Sequence, residues 1–278
     1  MKKITSTLLF SLFAISLMAQ MPNAKSAILM VHYGTANDAS RALTIDALNK
    51  DVENAFPHCK VFEAYSSKII INTLKKRGIH KDDIQQALKK IHQQGHKKVI
   101  IQTSDLLDGV MTAHIGDAVQ KVKADFDTIC IGKPLLWGVD DCKWMAKVLT
   151  SHIATDPTKT VVLVGHGTDG PANAIYSQLD YMLHDQGYNN YHVATIEGYP
   201  NLDNIEKILA INKGKHIILY PLLMIAGNHA VNDIQGLWKQ KLTALGYEVE
   251  VWHGGLATLS EVKNHIISQI QEMNKTLK

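Results

Sequence analysis

The sequence predicts an α/β protein made of two similar doubly wound halves, each a parallel sheet covered by helices, facing each other across a cleft. Two observations carry this expectation: a regular alternation of strand and helix patterns, and an internal echo between the two halves. Short β-branched runs recur as AILMVHY (27–33), KVFEAY (60–65), KKVIIQT (97–103) and DTICIG (127–132). A second set follows as TVVLVGH (160–166), YHVATIE (191–197), HIILYPLL (216–223) and YEVEVWH (247–253). Amphipathic patterns over 40–56, 82–95, 173–187 and 260–277 lie between and after them. Strands alternating with helices of this length imply right-handed crossovers and parallel pairing. Near-continuous apolar strands imply that both sheet faces are covered.

Eight such strands also suit a closed (β/α)8 barrel, and the echo decides between the two. Val31-His32-Tyr33-Gly34-Thr35 matches Val164-Gly165-His166-Gly167-Thr168, which sets Tyr33 opposite His166. The segments at 99–110 and 217–228 echo in turn, with Gly109 opposite Gly227. The expected halves are 25–137 and 138–278. Ligands of such sheets gather at the carboxyl ends of the strands.

Residues 1–20 carry the marks of a signal peptide. Lys2 and Lys3 precede an apolar run over Leu8–Leu17, and Ala19 offers a small residue at a cleavage point. That run is shorter than the ~20 apolar residues that span a bilayer. The expectation is an exported, periplasmic protein with no stable membrane insertion once the signal is removed. Removing Lys2 and Lys3 takes the formal charge from +3 to about +1, which gives no electrostatic footprint for nucleic acid. Cys59, Cys130 and Cys142 are an odd set without a C-x-x-C pair. A Cys130–Cys142 bridge would leave one thiol over, and three small apolar side chains is the simpler reading.

The chemistry concentrates at strand ends of the second half. His166 ends one strand before Gly167, Glu197 ends the next before Gly198-Tyr199-Pro200, and His229 follows the third through PLLMIAGN. Three parallel strands would deliver these groups to one rim. Two imidazoles and a carboxylate suit Co²⁺, Ni²⁺, Fe²⁺ or Zn²⁺, and three protein ligands leave coordination positions open. Taken singly, His166 also suits a helix cap, Glu197 a solvated loop carboxylate and His229 a helix N-terminal residue.

The strings VGHGT (164–168), IEGYP (196–200) and PLLMIAGNHAVND (221–233) resemble signature segments of the CbiK-type anaerobic sirohydrochlorin cobaltochelatases, of the class II chelatase superfamily. VHYGT (31–35), FEAYSSKII (62–70) and GKPLLWG (132–138) do so too, and the likeness runs from about residue 26 to 265. The resemblance implies the chelatase-like fold of two α/β halves. It also implies a lyase that inserts Co²⁺ into sirohydrochlorin or a related tetrapyrrole, as in anaerobic cobalamin biosynthesis, with Fe²⁺, Ni²⁺ or Zn²⁺ as alternative metals. It places the metal on His166, Glu197 and His229; the near-neutral pKa of a histidine makes His166 the leading candidate to accept a pyrrole proton. Tyr33, Ser66, Ser67, Leu135 and Trp137 are expected along the tetrapyrrole cleft. No organic cofactor is needed, and a homo-oligomer is compatible with the sequence.

Three residues depart from the family pattern. Asn228 stands where an Asp is usual, Asp105 stands where relatives carry a His, and His32 replaces a small residue beside Tyr33. Export is the largest departure, because sirohydrochlorin is made in the cytoplasm. It keeps a second reading open, an exported haem- or tetrapyrrole-binding protein that carries haem or removes its iron. A periplasmic metal carrier is a third, although it would not need the cleft.

Overall fold

The computed structural model describes residues 26–211, 214–227 and 230–277. The expected signal segment, with Ala19 and its cleavage point, lies outside the described residues, and so do Asn228 and His229. Eight strands form two four-stranded sheets. β1 (Ser26–His32), β2 (Lys60–Tyr65), β3 (Lys98–Thr103) and β4 (Thr128–Ile131) make the first, in the order β2-β1-β3-β4. β5 (Thr160–Gly165), β6 (Tyr191–Thr195), β7 (His216–Pro221) and β8 (Glu248–Val251) make the second, in the order β6-β5-β7-β8. Every pairing is parallel. Two open sheets of identical strand order replace the closed barrel, as the internal echo predicts.

Strand parity shows how the sheets are packed. Successive side chains of a strand point to opposite faces. On β1, Ile28 and Met30 enter a core shared by the two halves, whereas Ala27, Leu29 and Val31 enter a core of the first half alone. On β5, Val161 and Leu163 join the shared core, whereas Val162 and Val164 pack outward. All nine are fully buried. The inward sides of the central strands therefore share one continuous apolar core with the helices Ala47–Ala55, Val139–His152, Ala174–Asp185 and Ser260–Thr276, which fixes how the two rows of strand ends face each other.

The helices at the seam complete that core. Val139–His152 packs on the helix Ala174–Asp185. The final helix, Ser260–Thr276, returns to the first sheet and lies against β3 and the helix Ala47–Ala55. Polar ties accompany the apolar ones. Gln102 Nε2 donates to Gln269 Oε1 at 3.0 Å, Lys98 Nζ donates to the Leu277 carbonyl at 2.7 Å, and Lys263 pairs with Asp51 at 2.6 Å. The helical pattern at 40–56 becomes Asp38–Arg41 and Ala47–Ala55 joined by a wider π-helical turn over Ala42–Asp46. Cys59, Cys130 and Cys142 are all free thiols. No helix of the described residues is long and apolar enough to cross a membrane.

Ile270 of the final helix is 0% exposed within the shared core. Ile270→Ala should cost about 2–5 kcal/mol, because truncation leaves a cavity in a close-packed layer. Chemical denaturation checks this by the shift in midpoint, and an unchanged midpoint would show that the helix does not hold the halves together.

Candidate metal-binding cleft

The carboxyl ends of both sheets open onto a cavity of about 550 Å³, within the range of small-molecule sites. One wall is built by the loops after β5 and β6. The last β5–β6 register pair is Gly165 with Thr195, and main-chain hydrogen bonds continue beyond it. The Ile196 amide donates to the Gly165 carbonyl at 3.0 Å, and the Glu197 amide donates to the His166 carbonyl at 2.8 Å. His166 and Glu197 are thus held side by side by main-chain hydrogen bonds. Their side chains converge to 3.8 Å, from His166 Nδ1 to Glu197 Oε2.

The chain after His166 must turn sharply, and Gly167 permits it. Its φ is +89°, and a Cβ there would lie 2.5 Å from the Gly198 backbone nitrogen. The two loops touch through backbone that no side chain can separate. Gly34 occupies the equivalent place after β1 with φ +98°, so the echo extends to backbone conformation. Asn173 binds the two loops from behind. Its Oδ1 accepts from the Thr168 amide at 3.1 Å, and its Nδ2 donates to the Tyr199 carbonyl at 2.6 Å. Thr195 Oγ1 donates to the Pro200 carbonyl and accepts from the Gly198 amide.

This support sets the donor atoms. His166 Nδ1 lies 3.0 Å from the Gly167 carbonyl, which can only accept. Nδ1 therefore carries the proton of the neutral ring in that contact, and Nε2 bears the lone pair that a metal requires. An imidazole and a carboxylate at this separation make two of the three donors expected of a borderline set. Gly227, two residues before the expected third ligand His229, also lines the cavity, while His229 itself lies outside the described residues.

The opposite wall comes from the first half. Tyr33, 44% exposed, lines the cavity as expected, together with Ser104 and Asp105. His32 beside it is buried beneath the wall and does not enter the cavity. Its ring bonds with Ser104 Oγ at 2.8 Å and with Asn49 Oδ1 at 2.9 Å, and Asn49 donates in turn to Glu63. Burial holds the His32 pKa below the ordinary imidazole value, so this ring stands neutral as a support for Ser104.

Four residues expected along the cleft are placed elsewhere. Ser67 Oγ accepts from the Ile70 amide and caps the helix Lys68–Lys76, while Ser66 Oγ turns to the His32 carbonyl. Leu135 is 1% exposed in the shared core. Its amide donates to the Asp105 carbonyl at 3.0 Å, so the GKPLLWG segment buttresses the wall from beneath instead of lining it. Trp137 is 48% exposed outside the cavity, with Lys133 Nζ 5.6 Å from its ring.

Asp105 was legible in the sequence only as a departure from relatives, and it adds a carboxyl from the first half to the cleft. Burial pushes its pKa up to about 6, opposed by the hydrogen bond from Thr103 Oγ1 at 2.8 Å. It follows β3 as His166 follows β5, and that position past a strand end was the available signal.

The sequence pattern of the family described as Cobalt chelatase (CbiK) matches residues 26–275. The chain belongs to the CbiK cobalt chelatase family. A protein named sirohydrochlorin cobaltochelatase from Salmonella typhimurium is 30% identical over 254 residues, covering 89% of this chain and 96% of that protein. Sirohydrochlorin cobaltochelatase CbiKC of Nitratidesulfovibrio vulgaris is 30% identical over 237 residues, covering 81% of this chain and 82% of its own. Among solved structures, SirB from Bacillus subtilis with Fe³⁺ aligns with a TM-score of 0.68 at 18% identity, covering 90% of this chain and 96% of its own. The sirohydrochlorin chelatase SirB from Bacillus subtilis subspecies spizizenii in complex with cobalt gives 0.62 at 18% identity, over 91% of this chain and 96% of its own. These structural likenesses confirm the two-halved chelatase fold of this CbiK family member.

The raised pKa of Asp105 has a consequence for stability. The folded state holds this proton more tightly than the unfolded chain, whose carboxyl titrates near 3.8. Stability is therefore lost as pH rises from about 4 through 6. Asp105→Asn, which keeps an acceptor for Thr103, should be more stable than the parent at pH 7 by about 1–3 kcal/mol and nearly equal to it near pH 4. Urea midpoints at the two pH values measure this; an equal difference at both would contradict it.

Proposed function

We propose that the protein inserts Co²⁺ into sirohydrochlorin or a closely related tetrapyrrole, with His166, Glu197 and His229 holding the ion beside the ring. The observation that carries this reading is the convergence of His166 and Glu197 on one wall of the cleft that Tyr33 and Asp105 face from the other. Family membership and two curated cobaltochelatase relatives support it. The haem-carrier reading draws no support from the same relatives. Fe²⁺, Ni²⁺ and Zn²⁺ are alternative metals for the same donors.

Insertion replaces two pyrrole N–H protons by one divalent ion, so the cleft must hold the metal and accept protons. Glu197 supplies the anionic ligand of the set and offsets the charge of the ion. His166 offers Nε2, and once the ion moves to the ring the same nitrogen can take a pyrrole proton. The Asp105 carboxyl, at about 6, is matched to accept a second proton near neutrality. A shared core between the halves keeps the walls fixed, so binding energy is available for positioning the ring. No organic cofactor enters this chemistry.

His166→Ala should lower the insertion rate at least roughly 100-fold, because a ligand and a proton acceptor leave together. Glu197→Gln should weaken Co²⁺ binding by roughly 10-fold or more, about 1.4 kcal/mol. Anaerobic absorbance kinetics and Co²⁺ titration read the two effects, and unchanged values in both variants would remove the assignment.

The export signal at residues 1–20 leads us to propose a periplasmic location for the mature chain. The support is Lys2 and Lys3 ahead of the apolar Leu8–Leu17 run. N-terminal sequencing of the native protein should find a start shortly after Ala19; a cytoplasmic protein still beginning at Met1 would reverse this proposal.

A further inference from the structure

At the far end of β6 from Glu197 lies a second group of metal-ligating side chains. Asp180 and His184 stand one turn apart on the helix Ala174–Asp185, and His192 is the second residue of β6. One ligand atom from each lies within 4.8 Å of the others. Glu197 lies five positions beyond His192, roughly 16 Å for extended chain. The group is therefore distinct from the cleft.

Three observations distinguish it from a chance cluster. His192 is 6% exposed, and neither ring nitrogen meets a hydrogen-bond partner among the described residues. Buried polar groups are as a rule paired, so an imidazole in this state is a ligand in want of a partner. His184 Nε2 lies 2.8 Å from the Tyr191 carbonyl, which can only accept. The proton of the neutral ring is thereby placed on Nε2, and Nδ1 turns its lone pair toward Asp180 Oδ2 at 3.6 Å. This carbonyl-oriented imidazole is the arrangement by which proteins fix the ligating nitrogen of a metal-bound histidine. Asp180 is fixed in the same way, since its Oδ1 accepts from the Val193 amide at 2.7 Å and leaves Oδ2 toward the imidazoles.

We propose that Asp180, His184 and His192 form a second, structural site for one first-row divalent cation of the Zn²⁺ or Co²⁺ class. Two neutral imidazoles and one carboxylate are a borderline donor set that suits such ions over Mg²⁺ or Ca²⁺. Ligand atoms of a tetrahedral ion at 2.0–2.1 Å are separated by about 3.3 Å, so inward shifts of roughly 1 Å close the site. Asp180 and His184 are partly exposed, which lets water complete the coordination. The ion would join the helix that starts beside Asn173 to the strand that delivers Glu197. It would thus brace the wall of the cleft without entering the reaction.

The test separates this site from the cleft by working without the cleft ligands. A chain carrying His166→Ala and Glu197→Gln is dialysed to equilibrium against Zn²⁺ and its metal content measured. About one equivalent per chain is expected, falling to near zero when Asp180→Asn or His184→Gln is added. Asp180→Asn keeps the acceptor for the Val193 amide and so spares the fold, which circular dichroism checks. In the chain lacking the cleft ligands, either substitution should also abolish the rise in Tm that Zn²⁺ produces, and in the otherwise unaltered chain it should remove one equivalent. Zn²⁺ content and Tm that are indifferent to both substitutions would overturn the second site while leaving the cleft assignment untouched.

Discussion

Everything in the cleft depends on how far β5 and β6 stay paired. Parallel strands present equivalent residues to the same edge of a sheet, and the hydrogen bond from the Glu197 amide to the His166 carbonyl carries that pairing one step past the strands. A loop free to diverge there would leave the imidazole and carboxylate to find each other at the cost of side-chain and backbone entropy. Gly167, with its left-handed φ and its contact with Gly198, lets the chain turn away without parting the two loops. The side-by-side placing of His166 and Glu197 is thus a property of the backbone first and of side chains second.

The facing wall is set by the same geometry at one remove. Ile28, Met30, Val161 and Leu163 enter one core that the seam helices complete, and the loops after β1 and β3 face those after β5 and β6 across the cavity. Beneath that wall the polar chain of His32, Asn49 and Glu63 holds Ser104. Asp105 is held by Thr103 and by the amide of Leu135. The half-buried Asp105 carboxyl thus faces His166 and Glu197 across the cavity with a pKa pushed up to about 6.

Most of the fold was legible in the sequence because its strands are short, apolar and bounded. All eight strand segments were found, with ends that retract: the run 247–253 pairs only over Glu248–Val251, and the run 191–197 only over Tyr191–Thr195. Hydrophobic period announces the final helix but does not say which sheet it covers, and it crosses to β3. The same limit explains Leu135. An apolar residue in a loop segment reads alike as cleft lining or as core, and only the bond of its amide to the Asp105 carbonyl decides. The shifted pKa of Asp105 and the isolation of His192 arise from burial by distant segments, which no local pattern encodes.

The most direct measurement is a single-turnover transfer. The mature protein is loaded with one equivalent of Co²⁺, freed of excess metal, and mixed anaerobically with sirohydrochlorin while the macrocycle spectrum is followed. Consumption of bound Co²⁺ in step with the spectral change, at a rate well above buffer, is the expected result. Sirohydrochlorin left unmetallated at the buffer rate by a protein that binds haem tightly would contradict the assignment of the cleft as a site of metal insertion.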